Sequence, residues 1–226
     1  MHTWSVSELI NFIFYVFFSV LDTASLFYLA LKLFKIDLYL KEIIFASLIM
    51  TFLSYVIRVE HGYAYLDVFM QFVFFVCFLW MLFRIHIFYA TIMAGTALQA
   101  FMLIQSLIYI VINITGIYQL DFPIVSTGIF LMQLITDSVV IFIGYYIGKK
   151  RKGFDYIPDK PDARLIINKR DIILFSLSVP SVACLFLMMY FLKYLYQFAF
   201  LVPLFYGTVL IGYLYFSNKK DRGDIF

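Results

Sequence analysis

The chain has 226 residues, 64% apolar and 14% charged, with a formal net charge of +3. Soluble domains are about 45–50% apolar and about 25% charged, so these proportions exclude a water-soluble protein. With roughly 20 apolar residues needed per crossing, the chain holds about six to eight membrane spans and no separate catalytic domain. The small charge excess sits between the apolar runs and excludes a nucleic-acid footprint, which would need a basic stripe on one face.

In chain order, hydropathy predicts an all-α polytopic bundle, one integral membrane domain over residues 1–226, with about seven spans at 9–31, 40–57, 65–83, 87–112, 124–147, 172–192 and 198–216. The first run lacks a basic leader and a small-residue cleavage site, so it reads as a span and not a signal peptide. Loop 148–171 is the one long polar segment. It holds Lys149, Lys150, Arg151, Lys152, Lys160, Arg164, Lys169 and Arg170, and Pro158 and Pro161 forbid a continuous helix through it. Cytoplasmic loops collect Lys and Arg, so this loop is expected inside, the N-terminus outside and the C-terminus inside. Lys32, Lys35, Lys41, Arg84, Lys219, Lys220 and Arg222 then fall on the same inner side, and only Arg58 and Lys193 fall outside. The expected location is the cell membrane, with the lipid bilayer as first partner.

Two carboxylates lie deep in apolar surroundings. Asp22 follows Leu9, and Asp137 follows Ile124, by 13 residues in each case. At 1.5 Å per residue both sit about 20 Å from the start of their spans. An ionisable residue at such depth faces the bundle interior and is a functional-site candidate, although two polar residues joining helices is the plainer role. Gln133 lies one turn from Asp137, and Gln99 and Gln105 lie six apart on span four, a spacing that puts them on different faces. The outer rim offers Arg58, Glu60 and His61, with Asp67, Tyr118, Asp121, Lys193, Tyr194 and Tyr196 around them. The candidate ligand-binding residues are therefore Asp22, Asp137, Gln133, Gln99, Arg58, Glu60 and His61. Gly144 and Gly148 form a GxxxG that permits close helix approach, within the chain or in a homodimer.

No catalytic, cofactor or metal motif is present. Cys77 and His86 are nine residues apart, about 13 Å along a helix and on nearly opposite faces. Cys184 has no histidine in its span, and Cys77 and Cys184 both lie in apolar runs, so no disulfide framework is expected. HExxH, GxSxG and Walker A are absent. The expectation is a protein that is not an enzyme and carries no cofactor.

The phrase LDTASLFYLALKLFKI at 21–36, the segment SYVIRVEHG at 54–62, the basic loop after span five and the basic tail resemble the membrane sensor half of accessory-gene-regulator-type peptide-pheromone receptor histidine kinases of Gram-positive bacteria. That resemblance implies an extracellular peptide bound among the spans and outer loops, with the signal passed to a kinase. His2, His61 and His86 all precede span four, so a phosphoacceptor histidine beyond the spans is missing from this sequence. The functional expectation is a receptor-like module for a peptide or small hydrophobic ligand, partnered by a separate histidine kinase or by a second copy. The alternative is a small-molecule transporter or its substrate-binding subunit.

Overall fold

The computed structural model describes residues 6–115, 127–157, 169–178, 180–183 and 201–222. Tyr118, Asp121, Cys184, Lys193, Tyr194, Tyr196 and most of the two prolines' loop lie outside them. Among the described residues every regular element is helical. In lipid each backbone N–H and C=O must be satisfied within its own segment, and apolar runs of this length do so as helices.

The helices are α1 (Val6–Leu33), α2 (Leu40–Ser54) continued by a π-helical turn (Tyr55–Glu60), α3 (Ala64–Met81), α4 (Ile87–Thr115), α5 (Thr127–Lys149), α6 (Lys169–Ser176) and α7 (Leu201–Asp221). Five stretches are long and apolar enough to cross a membrane: Leu9–Leu33, Leu40–Glu60, Ile87–Thr115, Gly128–Lys149 and Leu201–Asp221. Seven were expected. The third corresponds to the shorter apolar helix Leu66–Met81, and the sixth is described only at 169–178 and 180–183. The last helix runs to Asp221, five residues beyond its expected end at Phe216. Lys219 and Lys220 in its final turn suit the negative end of the helix dipole.

Outward positions carry large apolar side chains, among them Ile114 at 79% and Phe142 at 69% exposure, which is what a lipid-facing surface requires. Inside, Phe27 meets Phe75 edge-on at 4.7 Å. Leu79, Ile92, Met93, Tyr206 and Tyr213 are buried around them. Threonine hydroxyls inside the helices donate back to the preceding turn, Thr96 to the Ile92 carbonyl and Thr136 to that of Met132, both at 2.8 Å. The hydroxyl protons of Thr96 and Thr136 are thereby paired in an apolar medium.

The GxxxG acts within the chain. A Cβ on Gly144 would stand 2.6 Å from Tyr28 Cε1 and one on Gly148 would stand 3.1 Å from Lys32 Cδ. The two glycines therefore let α1 lie close along α5, and the motif is occupied by this chain's own helix.

The basic residues gather where α1, α5 and α7 end and α2, α4 and α6 begin, the basic end of the bundle. Three residues there, Lys35, Arg84 and Arg151, have φ near +50°. Each follows a helix, and at two of them the chain closes a Schellman cap: Ile36 N–H to the Leu31 carbonyl at 2.9 Å and Lys152 N–H to the Ile147 carbonyl at 3.1 Å. Segment 150–157 then folds under the bundle. Phe154 N–H donates to the Leu33 carbonyl at 2.7 Å, and the Asp155 N–H donates to Asp221 at 2.8 Å. Burial pushes the Tyr156 phenol well above its ordinary pKa, so it stays protonated beside the Ser217 hydroxyl at 3.0 Å. A Cβ on Gly153 would stand 2.7 Å from both the Leu33 and Lys32 carbonyl oxygens. Backbone atoms cannot swing aside, so Gly153→Ala is expected to detach this segment at a cost of roughly 1–3 kcal/mol. Faster amide exchange at Phe154, with the helices still protected, is the measurement; unchanged protection would refute the contact.

Candidate functional site

A cavity of about 180 Å³ lies among α1 to α5. Its lining follows from helical spacing. Tyr15, Ser19, Asp22 and Leu26 recur every three or four residues on one face of α1, as do Leu98, Phe101, Gln105 and Tyr109 on α4. Met50, Ser54 and Arg58 come from α2 and its π turn, Asp67 and Gln71 from α3, and Ile129, Met132 and Gln133 from α5. Most of the wall's surface is apolar, as in small-ligand sites generally, but half of the residues that line it are polar or charged.

One end of the cavity, opposite the basic end, is a connected polar network. The Ser54 hydroxyl donates to Asp67 Oδ2 at 3.0 Å. Its single proton is thereby used, so the Tyr15 phenol donates to Ser54 Oγ, 3.1 Å away. Arg58 Nε stands 3.4 Å from the same Asp67 oxygen. That is an ion-pair distance without hydrogen-bond alignment, and Asp67 Oδ1 has no hydrogen-bond partner. The π turn that carries Arg58 is closed by i to i+5 bonding, His61 N–H to the Val56 carbonyl at 3.2 Å. Such turns recur at functional sites because the widened helix re-aims a side chain.

Asp22 forms part of the wall deeper in, about two turns along α1 from Tyr15. Its Oδ1 is buried without a hydrogen-bond partner. Asp137 stands behind it, 1% exposed and outside the cavity lining. The Ser25 hydroxyl lies 2.7 Å from Asp137 Oδ1 and 2.8 Å from the Asp22 carbonyl oxygen. One proton serves both, and Asp137 Oδ2 has no partner.

Of the residues singled out in the sequence, Asp22, Arg58 and Gln133 come together on the cavity wall and Asp137 adjoins it. Gln99, Glu60 and His61 do not join them. Gln99 faces away, donating to the Ser181 carbonyl at 3.1 Å; six residues on a helix turn it well off the face that carries Gln105. Glu60 and His61 are exposed beyond the end of the cavity, where His61 Nδ1 lies 2.8 Å from the Val56 carbonyl and its ring stacks on Tyr63 at 6.3 Å. Tyr15, Ser54 and Gln71 had no signal, since single hydroxyls and amides are common along apolar helices. Asp67 had one: in the first turn of α3 it shares a face with Gln71, four residues on, and both turn inward.

Among the described residues no group of three His, Cys, Asp or Glu side chains is placed to hold a metal ion. The arrangement offers binding chemistry: two unpartnered carboxylate oxygens, a guanidinium, amides and aromatic walls in a space of single-ring size. No family model matches the chain, and neither a curated protein nor a solved structure shows significant similarity to it.

Proposed function

We propose that the chain is a receptor-like sensing module of the cell membrane that takes a small ligand into this cavity from outside. In this reading it crosses the bilayer seven times with the N-terminus outside and the basic end in the cytoplasm. Support for the orientation is the clustering of Lys32, Lys35, Lys41, Arg84, Lys149, Lys150, Lys219 and Lys220 at one end, while Arg58 stands at the other. The cavity is the observation that carries the functional reading. At about 180 Å³ it compares with the roughly 150 Å³ that holds one benzene, which favours a small molecule over a peptide. Output would pass through α1, which lines the cavity and whose Leu33 carbonyl holds segment 150–157, to a separate histidine kinase or a second copy.

Transport is the second reading, favoured by Asp22 and Asp137, because deep carboxylates mark ion and proton pathways. The two readings separate in one preparation. Purified protein in nanodiscs is expected to show saturable small-molecule binding that Ser19→Phe, which fills the cavity from α1, weakens by about tenfold or more. In proteoliposomes the same molecule is expected not to cross. Flux that disappears in Asp22→Asn would establish transport instead, and binding unaffected by Ser19→Phe would place the ligand elsewhere.

A further inference from the structure

The chemical class of the ligand follows from the charges of the cavity, and the inference rests on the binding reading above. Three lining residues carry a formal charge: Asp22, Arg58 and Asp67. Arg58 and Asp67 stand 3.4 Å apart and neutralise one another, and Asp67 also accepts from Ser54. Asp22 is the remaining acidic group of the wall, with no ion pair among the described residues and with Oδ1 buried and unpaired. Asp137 adjoins it and adds a second carboxylate, and the Ser25 proton goes to Asp137 Oδ1 or to the Asp22 backbone carbonyl, so the Asp22 carboxylate receives nothing from it. Burying a carboxylate without a positive partner or a full set of hydrogen bonds costs several kcal/mol. A neighbouring cation removes that cost. The rest of the wall suits an organic cation better than a bare metal ion. Phe101 and Tyr109, 2% and 5% exposed, present aromatic surface, and Met50 and Met132 add polarizable thioethers. A cation over an aromatic face is stabilised, most of all where water is excluded.

We infer that the cavity binds a small protonated primary amine, its ammonium group set against Asp22 and its apolar body among Phe101, Tyr109, Met50 and Met132. Three molecules of nearly equal size test this with the full chain in nanodiscs: 2-phenylethylamine, 2-phenylethanol and phenylacetate, each titrated by calorimetry and by thermal shift. The amine is expected to bind roughly ten- to a hundredfold more tightly than the other two, the ratio set by a charge-assisted hydrogen bond. Asp22→Asn is expected to remove that preference and Asp22→Glu to restore part of it. Unfolding midpoints of the ligand-free variants confirm that both fold; if Asp22→Asn does not, the preference for the amine over the alcohol in the wild-type protein decides the question. Equal binding of alcohol and amine would overturn the amine assignment and leave the cavity as a binding site. A preference for phenylacetate would overturn it in favour of Arg58 as the counter-charge. Retained amine preference in Asp22→Asn would also overturn it. No binding of any of the three, with Ser19→Phe unchanged in stability, would overturn both the amine assignment and the binding reading.

Discussion

Arg58→Ala is expected to lower the unfolding free energy by roughly 2–4 kcal/mol. Asp67 is 3% exposed, and its near cation is Arg58, with Nε 3.4 Å from Oδ2. Removing one partner of a buried ion pair costs about 3–5 kcal/mol because the other charge is stranded, whereas an exposed pair contributes under about 1 kcal/mol. The Arg58 side chain is 31% exposed and that of Asp67 only 4%, which places this pair nearer the buried case but discounted for solvent at the guanidinium. Ser54 continues to donate to Asp67 and prevents the full loss. The test is a double-mutant cycle with Asp67→Asn, followed by reversible denaturation in mixed micelles. Asp67→Asn in the Arg58→Ala background should recover more than half of the lost stability. Strict additivity of the two substitutions would show that the pair does not interact.

Lys220→Met is the second large effect, expected at roughly 3–5 kcal/mol. Asp171 is fully buried at the start of α6, and the Lys220 ammonium at the end of α7 forms an ion pair with its Oδ1. The same ammonium stands 4.8 Å from the centroid of the Tyr89 ring and 4.4 Å from that of Tyr156. One lysine thus joins α4, α6, α7 and segment 150–157 at the basic end. Methionine keeps most of the stem and deletes the charge, so Asp171 loses the Lys220 ammonium from a fully buried position. The expected signature is a lowered unfolding midpoint together with faster protease cleavage at 150–157. Lys220→Met combined with Asp171→Asn should recover most of the midpoint. A single variant as stable as wild type would show that the charge contributes nothing there.

These effects arise at places where reading the sequence along its length goes only part of the way. Asp22 and Asp137 stand out because a carboxylate amid twenty apolar residues is conspicuous in one dimension. Asp67 is not conspicuous: it lies near a polar turn, and its burial depends on Tyr15 and Ser54 arriving from two other helices. Gln99 and Gln105 are distinguishable by helical angle, yet the angle alone does not say which of them faces the cavity; the packing of α4 against α5 on one side and against α7 on the other assigns Gln105. The GxxxG of α5 announces a close approach without naming the approaching helix, and Tyr28 and Lys32 of α1 supply it. Lys220 reads as an ordinary tail lysine, and only the position of Asp171 makes it a joint.

Apolar composition and the length of its runs were sufficient by themselves to establish a helical bundle with membrane-length spans, because in lipid a backbone must pair its own polar groups and only the helix does so within one segment. The polar interior was decided by tertiary structure. Which carboxylate meets a guanidinium, which is left alone, and where five helices leave a space about 180 Å³ in volume depend on helix rotation and approach, and these are set by contacts between residues far apart in the chain.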